Sequence, residues 1–483
     1  MKVIHYLRRF GFIVGLYFIL FIILMGAWTF VSRASSQNLL LDAFKGGART
    51  TTLPPVKQTQ LIRKVTGLYK RLQNRTSLRL PKNETSKLRQ FQRSFEIYQE
   101  PVVSSWLKQR KEFCDGNFVG YDSLFALLTN VIITPEKGKG RRGGENVRDV
   151  LNQSEGDEYY LLEPGYFTIK CQDKEIPYSF RTKDHLINWK AALKSQKLLN
   201  VSGMKTVKTL TIALTRYEYV NMYHTMTDFY NAFLMMLIFK QRPDDVTILW
   251  IDGHPYGTLD VAWKTLFGHV MRAGELGEST LFHGMVWNIL GYFSPLNDHD
   301  SPHIPYLEEF REFFLGRHQV NFQRTLNCSR LSIRFIWRRD YVAHPRNPSG
   351  HVVRKIKNED ELISIVQKSL PNYEVVGSQI DLLDLTKQLQ WISDTDILVG
   401  MHGAGLSHTL FLQKYAALIE LYPTYWPTAN KHFRTMAQWR NIHYQLWQNA
   451  DQANEHANHY TYIPPDVVLK MVHEMQHKLC HGH

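Results

Sequence analysis

Asp396-Ile397-Leu398-Val399-Gly400-Met401-His402-Gly403-Ala404-Gly405-Leu406-Ser407-His408 reads as a buried strand running into a tight glycine turn and then a helix. Residues 397–399 are continuously apolar, as a parallel strand covered on both faces requires. Gly400, Gly403 and Gly405 have no Cβ, so the backbone there can bend sharply and a ligand can come close to it. A helix starting near Leu406 would present N-terminal N–H groups, which favour an anion. Strand, small-residue turn and helix N-terminus together are how α/β proteins hold a nucleotide diphosphate at the carboxyl ends of their strands. The competing reading is an ordinary strand-to-helix turn that needs glycine for sterics, because such a turn alone is a weak signal.

The surrounding sequence repeats the same unit. Strands are expected at 332–337, 373–376, 397–399, 417–421 and 444–447, with helices at 359–369, 386–392, 406–412 and 431–438 between them. Strands alternating with helices imply a doubly wound parallel sheet. Upstream, strands at 209–214, 246–251 and 281–289 flank helices at 220–239, the latter amphipathic, and 259–270. Residues 294–303, rich in Asp, Pro and Asn, read as a linker. Two α/β units joined there would enclose a cleft, where ligands usually sit. A terminal helix is expected at 466–478.

The N-terminal end decides the compartment. Residues 1–10 are short and basic, residues 11–31 carry no charge, and Arg33 closes the apolar run. A helix of that length spans about 31 Å, enough for a bilayer core. A secretory signal has a shorter apolar region, roughly 7–15 residues. An uncleaved anchor at 11–32 is expected, with the basic end in the cytosol and the rest in the lumen. Residues 33–110 read as a polar stem, partly helical over 87–111; the bodies are expected at 111–300 and 301–483. The sequons at Asn74, Asn83, Asn152, Asn200 and Asn327 fit the luminal side. Cys114, Cys171, Cys328 and Cys480 allow up to two disulfides, with pairing left open, and none has CxxC spacing.

Net charge is +14, from 58 Lys and Arg against 44 Asp and Glu. A luminal enzyme does not meet nucleic acid, so most of this charge reads as solvated surface, with some available to attract an anionic nucleotide. The basic run at 137–144 reads as a mobile loop or a binding loop. GxSxG, HExxH and GxxxxGK[ST] motifs are missing from the sequence, which argues against a nucleophile-elbow hydrolase, a zincin and a P-loop enzyme.

Four groups carry candidate chemistry. His224 and Asp228 stand at i and i+4, so a carboxylate one turn away can orient an imidazole for general-base work; a polar pair on an exposed face is the alternative. Arg338 and Arg339 follow a strand, with Arg354 and Lys355 just beyond; guanidinium forks bind phosphate oxygens, though surface pairing with Asp340, Glu359 or Asp360 would also explain them. Glu420, in a strand end, could accept from ribose hydroxyls or make a loop contact. Asp298-His299-Asp300 lies in the linker and Asp394-Thr395-Asp396 precedes a strand, so neither is placed to hold a diphosphate-bound metal.

Six stretches occur in order: Arg142-Gly143-Gly144-Glu145; residues 216–230 from Arg216-Tyr217-Glu218-Tyr219 to Asp228-Phe229-Tyr230; Trp250-Ile251-Asp252-Gly253-His254; Arg338-Arg339-Asp340-Tyr341-Val342-Ala343-His344-Pro345-Arg346; Lys357-Asn358-Glu359; and 400–406 with Glu420-Leu421. Together they resemble glycosyltransferase family sixty-one, over about residues 112–450, and are most similar to its plant-type branch of N-glycan core β-1,2-xylosyltransferases.

The resemblance implies a GT-B-like pair of Rossmann-like domains and a UDP-sugar donor in the C-terminal one. It implies inversion, with no resident cofactor and no required metal. His402, Gly403, Ala404, Gly405, Arg338, Arg354 and Glu420 would serve the donor; Asp228, then His224, would be the base. The expected activity moves xylose from UDP-xylose to the core β-mannose of an N-glycan on a glycoprotein, in the Golgi membrane with type II topology. The alternatives are transfer of GlcNAc by the family's O-linked or O-mannose branch, and a non-catalytic, membrane-anchored glycan-binding protein.

Overall fold

The computed structural model describes residues 100–181 and 185–481. The anchor, most of the stem, Asn74 and Asn83 lie outside them. Among the described residues no helix is long and apolar enough to cross a membrane.

Among these residues a nine-stranded sheet is formed by β1 (Arg110–Phe113), β2 (Phe118–Tyr121), β3 (Phe125–Ile133), β4 (Phe167–Lys170), β5 (Leu193–Gln196), β6 (Lys205–Leu214), β7 (Val246–Trp250), β8 (His269–Arg272) and β9 (Thr280–Trp287). Its order is β1-β2-β3-β9-β6-β7-β8, with β4 and β5 branching from β3. Strands β9, β6, β7 and β8 are parallel, whereas β1, β2 and β3 add an antiparallel flank. This half is therefore a mixed sheet rather than the doubly wound parallel unit expected. The antiparallel ribbon is joined by short turns in a segment where the sequence shows no helical period.

The second sheet matches expectation. Strands β10 (Ser332–Ile336), β11 (Glu374–Ser378), β12 (Ile397–Met401), β13 (Ala417–Tyr422) and β14 (His443–Gln448) run all parallel in the order β11-β10-β12-β13-β14. Every residue of β10, β12 and β13 is buried, which is why each is mainly apolar, with Ser332, Arg334 and Glu420 as the polar exceptions. A terminal helix, Pro465–His481, covers this sheet and is tied to its entrance by Cys328–Cys480; Cys114–Cys171 staples the other half.

Helix α1, Met222–Ile238, joins the two halves. Every residue of it except His224 is buried, so it is not the amphipathic surface helix the spacing suggests. A helix apolar all round must be enclosed on every side. Phe229 meets Trp263 of the helix Asp260–Leu266 at 4.6 Å, and Phe233 meets Phe313 of the helix Leu307–Arg317 at 5.2 Å. One apolar core runs from Met226 and Phe233 through Phe310 to Leu406, Phe411 and Leu418 of the second sheet's layer. The helix Leu307–Arg317, beyond the expected boundary at residue 300, packs on both halves, and its Arg311 donates to the Phe411 carbonyl at 3.2 Å.

Two shorter differences have local causes. Val270 belongs to β8 rather than to the preceding helix, because the helix ends at Leu266 and the chain re-enters the sheet beside β7. The basic run at 137–144 is pinned down: Gly138–Lys139 pairs with Leu161–Leu162, and the Gly144 N–H donates to the His254 carbonyl at 2.9 Å.

Candidate active site

Strand β12 ends at Met401, and a 3-10 helix, Ala404–Phe411, follows in place of the expected α-helix. The glycines here are needed for space, not for a left-handed backbone. Gly403 is extended, with φ 167. A Cβ on Gly400 would lie 3.0 Å from Leu406, one on Gly405 3.3 Å from Ile336, and one on Gly403 only 1.9 Å from Arg338 Nη1. The close approach expected of these glycines is thus made by the protein's own side chains, above all by an arginine.

Arg338 follows β10 at its carboxyl end. Its Nε donates to the Val353 carbonyl at 3.0 Å. The Arg354 guanidinium lies 3.8 Å over the Trp426 ring, and its Nε is buried with no hydrogen-bond acceptor. Among the described residues neither guanidinium has a carboxylate within ion-pair distance. Burial lowers both pKa values, and Arg354 falls to about 10, helped by repulsion from Arg338. Two neighbouring half-buried cations, of which Arg338 feels the charge of Asp381, are stabilised when an anion joins them. Arg354 also holds φ +62, a strained conformation for a side chain with a Cβ. Arg339 differs: it is exposed and paired with Glu359, as the surface reading has it. Lys355 and Asp340 pair with each other at 2.9 Å.

His402 is fixed from behind. Its Nδ1 lies 2.6 Å from Glu420 Oε1, and the Tyr444 hydroxyl donates to Glu420 Oε2 at 2.7 Å. Its ring stacks on Tyr422 at 4.8 Å. A carboxylate on Nδ1 places the proton there and leaves Nε2 as an acceptor for a hydroxyl. Both Glu420 oxygens are thus engaged within the protein. As placed, Glu420 orients His402 and has no free oxygen facing a ribose.

A cavity of about 460 Å³ lies between the halves. Arg338, Arg354 and Gly405 line it from the C-terminal sheet; Glu218, Asn221 and Tyr256 line it from the other. Both walls come from segments following the carboxyl ends of parallel strands, the usual place for ligands in such sheets. Ala404 also lines it, whereas His402, Gly403 and Glu420 stand behind the lining.

His224 and Asp228 share a helix face but not a hydrogen bond. The His224 ring packs among Tyr223, Tyr217 and Tyr292 at 5.3, 5.4 and 5.8 Å. Side chains lean toward a helix's N-terminus, so His224, on the first turn, reaches past the helix end while Asp228 stays beneath it. Asp228 is buried under the Gly291 turn, where a Cβ would come within 3.1 Å of Oδ1, and Oδ2 has no partner. Burial raises its pKa well above the ordinary value, so its carboxyl is held toward the neutral form; nearby Arg216 opposes this. Burial lowers the His224 pKa, which keeps its imidazole neutral and able to accept a proton. Neither residue lines the cavity.

Two residues that the spacing could not mark join this place. His432 lies 4.6 Å from Tyr223, 4.5 Å from His299 and 5.8 Å from His402, ring to ring. Burial, then the adjacent His299, His402 and His224, lowers its pKa to about 4. Tyr223 Oη lies 2.8 Å from His299 Nε2, so the middle of Asp298-His299-Asp300 reaches the junction while Asp300 pairs with Lys431 at 3.0 Å. The other acidic string is structural: Asp396 holds Arg324 at 2.9 Å and accepts from the Ser332 N–H at 2.7 Å.

Several family-like stretches prove to be scaffolding. Buried Arg216 forks onto Asp252 through Nη2 at 2.7 Å and Nε at 3.0 Å, and meets Asp260 at 2.7 Å. His254 bridges the Arg216 carbonyl and Glu158 at 2.7 and 2.6 Å. Arg346 crosses from the C-terminal half to Glu218 and Glu155 of the other, both at 2.6 Å. Trp337 stacks on Phe335 at 5.1 Å, in room that Gly377 leaves. Of the sequons, Asn152, Asn200 and Asn327 are all exposed.

The Glycosyltransferase 61 family model matches residues 222–419. The chain is 25% identical over 378 residues to a beta-1,2-xylosyltransferase of Oryza sativa subsp. japonica, covering 69% of this chain and 67% of that one. It is 23% identical over 403 residues to a beta-1,2-xylosyltransferase of Arabidopsis thaliana, covering 68% and 74%. It is 28% identical over 248 residues to an EGF domain-specific O-linked N-acetylglucosamine transferase of Drosophila melanogaster, covering 48% and 44%. Helix α1, Arg338, Arg354 and the 400–405 turn all lie inside the segment that resembles the Glycosyltransferase 61 family.

Proposed function

We propose that this chain is an inverting glycosyltransferase with a GT-B-like pair of α/β halves, transferring xylose from UDP-xylose to the core β-mannose of N-glycans in β-1,2 linkage. The observation that carries the reading is the pair Arg338 and Arg354, two neighbouring half-buried guanidinium groups on the wall of an interdomain cavity, neither with a carboxylate within ion-pair distance among the described residues, although Asp381 also lines the cavity. A diphosphate supplies the missing negative charge and enough oxygens for both forks. The two plant relatives support the xylosyl donor.

In the proposed reaction the acceptor hydroxyl attacks the anomeric carbon as the bond to the β-phosphate oxygen breaks on the opposite face. The hydroxyl proton passes to a base, and UDP departs with its charge balanced by Arg338 and Arg354. His224 is the favoured base, because it is the single unburied residue of helix α1 and its imidazole is held neutral. Asp228, buried and without a bond to His224, is the second candidate. Two protein cations at the diphosphate make metal-independent transfer the expectation, with no resident cofactor. Three exposed sequons and two disulfides support a luminal catalytic part behind a Golgi type II anchor.

One comparison favours a second reading: the 28% identity over 248 residues to an EGF domain-specific O-linked N-acetylglucosamine transferase supports UDP-GlcNAc as the donor. A donor screen of the full-length protein with N-glycan core acceptors decides between them. Transfer from UDP-xylose is expected, unchanged by EDTA. Use of UDP-GlcNAc without use of UDP-xylose would replace the xylosyl reading, and strict manganese dependence would reopen a metal role.

A further inference from the structure

We infer that a second cavity, in the N-terminal half, is a subsite for the sugars of the acceptor glycan that lie beyond the reacting residue. It has a volume of about 420 Å³ and opens beyond the carboxyl ends of β6, β7 and β9, past Thr215, Ile251 and Leu290. Its walls are aromatic: Tyr159, Trp189, Tyr217 and Tyr292. A pyranose presents an apolar C–H face and a rim of hydroxyls, so rings with polar edges match it. Tyr292 is 44% exposed, and its ring meets those of Tyr217 and His224.

Charge separates the two cavities. The first carries two arginines that lack an ion-pair partner among the described residues. Among the described residues the second has no lysine or arginine in its lining, and its carboxylate there, Glu155, is committed to Arg346 at 2.6 Å. A phosphorylated ligand would find no counter-charge there, whereas a neutral sugar needs none. Hydrogen-bonding capacity remains. The exposed Asn188 side chain has no partner among the described residues, and His185 Nε2 is shielded from solvent without one. Tyr217 and Tyr292, 4.7 Å apart, form the wall shared with His224. A glycan seated here has its end at the favoured base.

This inference rests on the transferase reading for the role of the ligand but not for its binding. The test uses the full-length protein with an N-glycan core pentasaccharide and with methyl β-mannoside. Tyr292→Ala should weaken pentasaccharide binding, read by titration calorimetry, about tenfold. Asn188→Ala, a surface change that leaves the fold alone, should weaken it several-fold. In turnover, KM for the pentasaccharide should rise more than KM for the monosaccharide. Wild-type pentasaccharide affinity in both variants, with transfer still present, overturns the subsite and leaves the transferase reading standing. Lost binding in both variants, with no transfer from any UDP-sugar, does the reverse.

Discussion

The Arg338 guanidinium fills the space that a side chain at residue 403 would need: a Cβ on Gly403 would lie 1.9 Å from Nη1. Because residue 403 is extended, alanine there strains no backbone and acts only by displacing the arginine. Gly403→Ala should therefore fold normally and lose about tenfold in UDP affinity, measured by calorimetry. Combined with Arg338→Ala it should add little, since both changes remove the same contact. Fully additive losses would mean that Gly403 serves the donor by another route.

Arg354 holds a left-handed backbone conformation, φ +62, that glycine adopts without cost. Arg354→Gly should be more stable than Arg354→Ala by about 1 kcal/mol in chemical denaturation, and both should lose UDP affinity. Equal stabilities would indicate that the local backbone relaxes.

The Arg216 network binds β6, β7 and the helix Asp260–Leu266 rather than substrate. Arg216→Ala strands buried Asp252 and should destabilise the protein by about 3–5 kcal/mol. Near wild-type stability with lost turnover would move Arg216 into the active site.

Stability should fall in mild acid. Burial lowers the pKa values of His318, His344, His408 and His432 to about 4 in the folded protein. Their unfolded values are near ~6.5. Between these limits the unfolded chain binds more protons, so their contribution is fully present above ~6.5 and is lost as pH falls toward ~4. Asp228, Glu218, Glu359, Asp381 and Asp396, with raised pKa values, act in the opposite sense, but His185, His224 and His299 are lowered too and leave the imidazoles in the majority. Melting temperature should be flat above neutrality and drop below pH ~6.5. A flat profile down to pH ~4 would show these imidazoles protonating without strain.

The C-terminal sheet was legible because its central strands, such as 397–401, are buried on both faces and read as mainly apolar runs beside periodic helices. The antiparallel flank, β1 to β3, was not, since its place in the sheet depends on β3 pairing with β9, which lies far along the chain. Arg338 and Arg354 could be named from a strand end. Glu420 could be named too, but its hold on His402 is a cross-strand contact that spacing cannot show. His299 and His432 reach the junction only through tertiary packing. Helix α1 misled because its one polar-facing residue, His224, suggested a wet face where there is only a wet point.

The central claim is that Arg338 and Arg354 bind the donor diphosphate. Calorimetric titration of UDP into the full-length protein and its Arg338→Ala variant, with and without EDTA, tests it most directly. The wild type should bind UDP with an affinity that EDTA leaves unchanged, and the variant should lose about tenfold or more. Equal UDP affinity in the two proteins would contradict it.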